Sequence, residues 1–218
     1  MKIKNKKIKY VIGVDEAGRG PLAGPVSVGA FCVDVNELSE LKNNMWFSGV
    51  RDSKKLSEKN RNIWLNKVRQ LSKNKNVYFS HSFSCSSSID RLGISPSVRK
   101  AVKNSIKKIL RMIEKKTNII QNPKNYYILL DGSLSAPKEF INQKTIIRGD
   151  DKEKIISVAS IVAKVKRDKL MTKLSKIYPN YGFEIHKGYG TALHYKKIKK
   201  FGLSDIHRRS FLKGFAKS

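Results

Sequence analysis

The sequence of 218 residues has few features of secreted, membrane or repeat proteins. It has two cysteines, Cys32 and Cys85, without the spacing of a metal site, and we expect reduced, mostly buried thiols in a cytoplasmic protein. No apolar run approaches the roughly 18 residues that a membrane span needs. The charged N-terminus does not resemble a secretory signal, because Asp15 and Glu16 interrupt the short apolar segment after it. There are no internal repeats and no Gly/Ser-rich linker, so the length fits one domain, alone or with a small appendage.

Acidic residues are scarce relative to basic ones. The 46 Lys and Arg residues against 17 Asp and Glu give a formal net charge of +29. Like charges repel in a compact state, so this excess does not serve folding. A lysine-rich proteome would account for part of it, but a nucleic acid is the partner that such a charge indicates.

The segment from Val11 to Pro21 carries the first chemical motif. An apolar run from Tyr10 to Val14 predicts a strand whose side chains alternate between two faces, and it leads into the adjacent acids Asp15 and Glu16. Two neighbouring carboxylates repel each other, and a hard divalent cation relieves that repulsion. The following Gly18-Arg19-Gly20 suits a phosphate or a sugar hydroxyl. The alternative is an acidic strand end with a glycine turn.

Apolar patterns predict alternating strands and helices along the rest of the chain. We expect the second strand to form an antiparallel hairpin with the first, and the Tyr126 strand to be buried on both faces before Asp131. The further predicted strands are Pro25 to Val33, Val77 to Cys85, Tyr126 to Leu130 and Lys144 to Ile147. The predicted helices run from Ser57 to about Leu71, from Ser86 to Leu92, onward from Ser95-Pro96, from about Glu153 to Ile177 and from Ala192 to Phe201.

A polar loop from Gly49 to Ser57 contains Ser53, Lys54 and Lys55. A serine beside two lysines can bind a backbone phosphate through its hydroxyl and through charge. The alternative is a solvated loop that precedes a helix.

Six ordered blocks of the sequence closely resemble the bacterial type 2 ribonuclease H family. They are Asp15-Glu-Ala-Gly-Arg-Gly-Pro-Leu-Ala-Gly, Asp-Ser-Lys-Lys-Leu-Ser at 52–57, Leu-Leu-Asp-Gly at 129–132, Gly-Asp-x₆-Ser-x-Ala-Ser-Ile-x-Ala-Lys-Val-x-Arg-Asp at 149–168, His-Lys-Gly-Tyr-Gly-Thr at 186–191 and His-Arg-Arg-Ser-Phe at 207–211. The resemblance implies an α/β fold with a ribonuclease H-like mixed sheet flanked by helices. We expect a catalytic core at 1–178, with a C-terminal loop and helical extension at 179–218 packed on it.

The resemblance implies a catalytic and metal-binding set of Asp15, Glu16, Asp131 and Asp150. These acids would hold two Mg²⁺ or Mn²⁺ ions when substrate is bound, one activating a water and one stabilising the departing 3′-oxygen. Asp150 is preferred to Asp151 because only Asp150 keeps the family's seven-residue spacing to the serine of Ser-x-Ala-Ser. Arg148 stands where lysine is usual in the family.

The resemblance also implies the residues that bind substrate. Gly18, Arg19, Gly20 and Tyr189 match residues that grip the 2′-hydroxyl of a single ribonucleotide within DNA, the one group that distinguishes RNA from DNA at that position. The basic residues expected at backbone phosphates, with Ser53, are Lys54, Lys55, Arg208 and Arg209. Without the family, Tyr189 would be a half-buried loop aromatic.

The sequence therefore predicts a monomeric metal-dependent endonuclease. It would cut the RNA strand of RNA/DNA hybrids and nick duplex DNA 5′ of single ribonucleotides, leaving 3′-hydroxyl and 5′-phosphate ends. One alternative is a basic nucleic-acid-binding protein without catalysis. Another is a type 3-like enzyme that cuts hybrids only, although that family usually has an added N-terminal domain and a glutamate at the position of Asp150.

Overall fold

A five-stranded mixed sheet forms the centre of the computed structural model, which describes residues 7–50 and 53–214. The strands are β1 (Tyr10–Ala17), β2 (Val26–Asp34), β3 (Val77–Ser84), β4 (Tyr126–Asp131) and β5 (Gln143–Ile146), in the order β3-β2-β1-β4-β5. The helices are α1 (Val35–Asn43), α2 (Glu58–Asn74), α3 (Ser86–Leu92), α4 (Ile94–Thr117), α5 (Gly149–Lys152), α6 (Lys154–Ile177), α7 (Phe183–His186) and α8 (Ala192–Phe201). The predicted α/β class with a mixed sheet and flanking helices is confirmed.

Strand pairing brings two of the predicted acids to the same edge of the sheet. β1 and β2 form the expected antiparallel hairpin, whereas β1 and β4 run parallel with Val14 opposite Leu130. The next residues along these two strands are Asp15 and Asp131. Because parallel neighbours end at the same edge, both carboxylates emerge side by side.

The sheet is covered on both faces. Ile12 and Val14 of β1 pack into one core with α4, whereas Val11 packs into the opposite core with α6. This is the alternation that the sequence predicts for the first strand. The central strands are therefore buried on both faces, and this packing fixes the positions of their C-terminal ends.

Helix α6 lies unusually close to the sheet because two strand residues lack side chains. A Cβ atom on Gly13 would lie 2.5 Å from the backbone carbonyl of Ile155, and one on Gly29 would lie 2.3 Å from the carbonyl oxygen of Ala159. Both distances are far inside a van der Waals contact. This close contact brings the polar side chains of α6 to the edge that carries the acids.

One local expectation differs from the structure, and one helix lies in a segment for which no element was predicted. Cys85 is exposed rather than mostly buried, because β3 ends at Ser84 and Cys85 is the residue that precedes α3. The polar segment after β2 contains helix α1, whose first turn is capped by the Asp34 carboxylate and whose Leu38 and Leu41 are buried. Arg51 and Asp52 of the predicted phosphate loop lie outside the described residues. Within residues 7–50 and 53–214, no helix is long and apolar enough to cross a membrane.

Candidate active site

Three of the four predicted acids meet at one point. Asp15, Asp131 and Asp150 each contribute a carboxylate oxygen to a group whose members all lie within 4.8 Å of one another. Asp15 lies near the end of β1 and Asp131 ends β4. Asp150 does not end a strand; it lies in the first turn of α5, four residues beyond β5.

The Asp131 side chain stabilises the turn that contains Asp150. Its Oδ1 accepts hydrogen bonds from the backbone N–H groups of Gly149, at 2.6 Å, and Asp150, at 3.3 Å. From the other side, the Ser157 hydroxyl of α6 donates to the Asp150 carbonyl oxygen at 2.6 Å. A Cβ on Gly149 would lie 2.6 Å from Ile156 Cδ1 and 3.3 Å from Asp131 Oδ1, so the absence of a side chain allows this turn to pack closely. The family spacing from Asp150 to Ser157 therefore corresponds to a contact between these two residues.

Burial and neighbouring carboxylates destabilise the charge of Asp15. Burial raises the pKa of Asp15 well above its ordinary value, and the charges of Glu16 and Asp131 raise it further. Hydrogen bonds from the Ser160 hydroxyl and the Glu16 backbone N–H, the latter at 2.7 Å, oppose that rise. A cation placed among these oxygens would remove the repulsion.

Glu16 lies beside the other three acids rather than within their group. Its Oε1 is 3.5 Å from Arg19 Nη1, and its Oε2 is buried with no hydrogen-bond partner among the described residues. Burial raises the pKa of Glu16, with a further contribution from Asp131, while Arg19 lowers it. The unsatisfied Oε2 and the all-oxygen donor set fit a hard divalent cation such as Mg²⁺ or Mn²⁺.

Asp151 belongs to a different set of contacts. It forms ion pairs with Lys55 and with Arg148, the latter at 3.2 Å, and these cations lower its pKa. The sequence preference for Asp150 over Asp151 agrees with this placement, because only Asp150 lies in the acid group.

A cavity of about 510 Å³ opens beside Glu16. It combines acidic, basic and aromatic side chains with glycine backbone, a suitable surface for a nucleic-acid strand. The residues that line it are Glu16, Ala17, Gly18, Arg19, Gly20, Ser53, Lys54, Arg61, Lys164 and Tyr189. Six of the predicted substrate-binding residues thus share one cavity with one of the predicted acids.

The backbone of Gly18 has a conformation that only glycine tolerates well. Its φ is +90°, and a Cβ there would lie 2.0 Å from Arg167 Nε. Arg167 is fully buried and donates from Nε to the Pro25 carbonyl oxygen at 2.9 Å. The segment Gly18-Arg19-Gly20, here called the glycine loop, therefore packs directly on the buried guanidinium of Arg167.

The prediction that Arg208 contacts a backbone phosphate is wrong in this structure. Arg208 is fully buried and donates to the carbonyl oxygens of Gly18 and Arg19, each at 2.7 Å, and of Gly24 at 2.9 Å. Burial lowers the pKa of Arg208 to about 9. The Arg208 side chain has no exposed surface for a phosphate, and it supports the loop of Gly18 and Arg19 from behind through these three carbonyls.

The remaining polar residues expected at phosphates differ in their placement. The Ser53 hydroxyl is buried and lies 2.7 Å from the Ser160 hydroxyl, so it supports the site internally. Lys54 Nζ lies 3.7 Å from Asp150 Oδ2, and Lys55 pairs with Asp151. Arg209 is exposed, and its backbone N–H donates to Asp90 at 3.0 Å.

Tyr189 is 41% exposed and faces the cavity. Two cations lie close to its ring, with Lys164 Nζ at 5.8 Å and Arg167 Cζ at 5.6 Å from the ring centroid. Lys164 and Arg61 also line the cavity, and neither is among the predicted substrate-binding residues. Lys164 lies within one of the six family blocks, whereas Arg61 lies on the α2 helix with no local signal.

Comparisons with known proteins identify relatives of this chain and structures that share its fold. The family model described as ribonuclease HII matches residues 12–213. A curated ribonuclease HII from Caldicellulosiruptor bescii is 39% identical over 212 residues, covering 97% of this chain and 91% of that protein. The crystal structure of ribonuclease H2 from Pyrococcus horikoshii OT3 aligns with a TM-score of 0.66 at 26% identity, covering 96% of this chain and all of that one. A structure of Bst-RNase HIII in complex with Mn²⁺ shares the fold, with a TM-score of 0.66 at 16% identity over 97% of this chain and 72% of that one.

Proposed function

The chain belongs to the ribonuclease HII family, whose members are ribonuclease H endonucleases acting on RNA/DNA hybrids, and from this premise we propose how its own residues act. We propose that it cuts the RNA strand of hybrids and also nicks duplex DNA on the 5′ side of a single ribonucleotide. The products would carry a 3′-hydroxyl and a 5′-phosphate.

We propose that Asp15, Asp131 and Asp150 hold Mg²⁺ or Mn²⁺, with Glu16 completing a two-ion site when substrate is bound. The support is the convergence of three carboxylate oxygens within 4.8 Å and the unpartnered Oε2 of Glu16 next to them. Such ions lower the pKa of water and stabilise negative charge on a leaving oxygen. The carboxylates would fix the position of the scissile phosphate relative to the cavity.

The cavity would select the ribonucleotide. Backbone groups of Gly18 to Gly20 form one side, and the Tyr189 side chain faces the same space. A ribose placed there would present its 2′-hydroxyl to the tyrosine, whose hydroxyl can donate or accept while its ring packs on the sugar. Lys54, Lys164 and Arg61, which line the same cavity, would attract the flanking phosphates.

One observation carries this proposal: the cavity lined by the predicted ribose-binding residues lies next to the acid group. Gly18, Tyr189 and Glu16 line a single cavity, and Glu16 is the chain neighbour of Asp15 in the acid group. A protein that only binds nucleic acid gains nothing from clustered carboxylates beside phosphates, because they repel the ligand.

Cleavage of matched duplexes tests the proposal. The substrates are a DNA duplex with one ribonucleotide, the same duplex without it, and an RNA/DNA hybrid, each with Mg²⁺, Mn²⁺ or EDTA. We expect metal-dependent nicking 5′ of the single ribonucleotide, cleavage of the hybrid, and no cleavage of the all-DNA duplex. Binding without any product would favour a non-catalytic binder, and cleavage of the hybrid alone would favour a type 3-like enzyme.

We also propose that the enzyme acts as a monomer, because one chain supplies every residue of the site described above. Light scattering after size-exclusion chromatography would give the mass of one chain of 24.8 kDa, and a mass of two chains would contradict the proposal. The cytoplasmic location remains a prediction from the sequence.

A further inference from the structure

Three of the four histidines of the chain lie together directly behind Tyr189. His186, His194 and His207 are all buried, with the rings of His186 and His194 stacked at 4.3 Å between centroids and 19° between planes. The rings of His194 and His207 are 5.2 Å apart. The proposed mechanism uses none of these imidazoles.

The hydrogen bonds determine where the proton sits on two of these rings. The backbone N–H of Ser204 donates to His207 Nδ1 at 2.9 Å, so that nitrogen is an acceptor and His207 carries its proton on Nε2. His207 Nε2 lies 3.0 Å from His194 Nε2, which must therefore accept. The proton of His194 is then on Nδ1, which lies 2.9 Å from the Tyr189 carbonyl oxygen and donates to it.

His186 completes the contacts around the same loop. The Gly188 N–H donates to His186 Nδ1 at 3.1 Å, so the opposite nitrogen, Nε2, donates to the Tyr181 carbonyl oxygen at 2.8 Å. The His186 carbonyl oxygen accepts from the Tyr189 N–H at 2.9 Å. The Tyr189 N–H is therefore bound by the His186 backbone, and the Tyr189 carbonyl oxygen is bound by the His194 imidazole and by the Thr191 N–H at 2.9 Å.

Each imidazole of this arrangement is neutral. Burial lowers the pKa of all three histidines, to about 4 for His194 and His207. A second proton on His194 would place two N–H groups face to face across 3.0 Å, and a second proton on His207, at Nδ1, would face the Ser204 N–H at 2.9 Å. The direction of the hydrogen bonds therefore runs one way, from Ser204 through His207 and His194 to Tyr189.

We propose that His207 and His194, supported by His186, are positioning residues that fix the backbone of Tyr189 and thereby aim its ring at the ribose. The inference rests on the proposed role of Tyr189 in binding the ribonucleotide. In this arrangement two adjacent residues near the C-terminus support opposite sides of the cavity. His207 holds the tyrosine side of the cavity through His194, and its neighbour Arg208 holds the glycine side through the carbonyls of Gly18 and Arg19.

Nitrogen-15 NMR of the imidazoles in the intact, unmodified protein tests the arrangement without any mutation. At pH 7 we expect His194 in the Nδ1–H tautomer and His186 and His207 in the Nε2–H tautomer, all neutral. An Nε2–H tautomer or an imidazolium at His194 would overturn the inference. This readout does not depend on catalysis, so it decides the arrangement even if the wild-type protein fails to nick the ribonucleotide duplex.

A double-mutant cycle tests the action through Tyr189. His194→Phe keeps a ring of similar size but removes both hydrogen bonds, and we expect it to slow single-turnover nicking at a single ribonucleotide by roughly tenfold, which corresponds to about 1.4 kcal/mol. In the Tyr189→Ala background the same change should alter the rate by less than about twofold, because its target is gone.

A matched variant separates positioning from a general loss of structure. His194→Asn keeps a side-chain N–H near the position of Nδ1, and we expect it to recover most of the rate lost in His194→Phe. Circular dichroism and thermal melting confirm that each variant folds. Equal losses from His194→Phe in both Tyr189 backgrounds, or no loss in the wild-type background, would overturn the inference. If His194→Phe does not fold, the His194→Asn rate and the wild-type tautomers decide it.

Discussion

Replacing Asp15 with asparagine is expected to stabilise the metal-free protein while removing its activity. Asp15 is 3% exposed, and burial together with Glu16 and Asp131 raises its pKa well above the ordinary 3.8. An ionised Asp15 therefore costs folding free energy at neutral pH when no cation is bound. The amide of asparagine retains an acceptor oxygen for the Glu16 N–H, and the Ser160 hydroxyl can accept from its N–H₂ group.

The size of the effect follows from the pKa of Asp15. One pH unit between the folded and unfolded pKa of a carboxyl group is worth about 1.4 kcal/mol. For a chain of this size 1 kcal/mol corresponds to about 2–4 °C in Tm. We therefore expect Asp15→Asn to raise Tm in EDTA at pH 7, by about 3–5 °C for each pH unit that separates the folded and unfolded pKa values.

The pH dependence has a defined sign. Because the folded-state pKa of Asp15 is raised, the folded protein binds more protons than the unfolded chain between pH 3.8 and that raised value. Its contribution to stability is most favourable below pH 3.8 and is lost as the pH rises through this window. We expect the metal-free wild type to lose stability over this window and Asp15→Asn to lose less.

Differential scanning calorimetry with and without Mg²⁺ provides the assay. Metal at 100 times its Kd should stabilise the folded wild type by about 2.7 kcal/mol and therefore raise its Tm. The Tm of Asp15→Asn should rise far less. Asp151→Asn is the matched control, because Lys55 and Arg148 lower the pKa of Asp151 and its removal should not raise Tm. A lower metal-free Tm for Asp15→Asn, or an equal rise for Asp151→Asn, would refute the reasoning.

Three further predictions concern the same site. Asp131→Asn should lower the single-turnover cleavage rate by roughly 100-fold or more while keeping duplex affinity, because even supporting residues of metal sites cost 10–100-fold; retained activity would remove Asp131 from the site. Gly18→Ala should destabilise the protein by about 2 kcal/mol or more in urea unfolding, because its Cβ meets Arg167 and its φ is +90°. Gly20→Ala, with no atom within 4 Å of its Cβ, is the matched stability control, and an equal loss would contradict this account. Tyr189→Ala should reduce nicking at a single ribonucleotide by roughly tenfold with an unchanged Tm, and unchanged kinetics would argue against its role.

The sequence predicts those parts of the fold that depend on local patterns. The apolar runs of β1 and β4 and the long apolar face of α4 identify buried elements, because burial on one or both faces leaves a periodic signal. The acids Asp15 and Asp131 follow such strands directly. Their meeting at one edge follows from parallel pairing, which the sequence suggests only through its family resemblance.

The sequence does not reveal contacts between a side chain and backbone groups that are far away in the chain. Arg208 resembles any surface arginine in the sequence, but carbonyls from residues 18, 19 and 24 surround it in the fold. Its burial depends on how the C-terminal segment crosses the glycine loop, about 185 residues earlier in the chain. The clustering of His186, His194 and His207 is hidden for the same reason. Helix α1 is a different case, because its signals are local. An aspartate at the N-cap position, Asp34, and apolar residues three apart, Leu38 and Leu41, are features from which a helix can be predicted.

Anomalous scattering from manganese tests the central claim most directly. Crystals of the protein with Mn²⁺ and an uncleavable duplex containing one 2′-hydroxyl should show manganese bound by the carboxylate oxygens of Asp15, Asp131 and Asp150, with the ribose beside Tyr189. Manganese found only at Asp151 or elsewhere on the surface, with the acid group free of metal while the duplex is bound, would contradict the account.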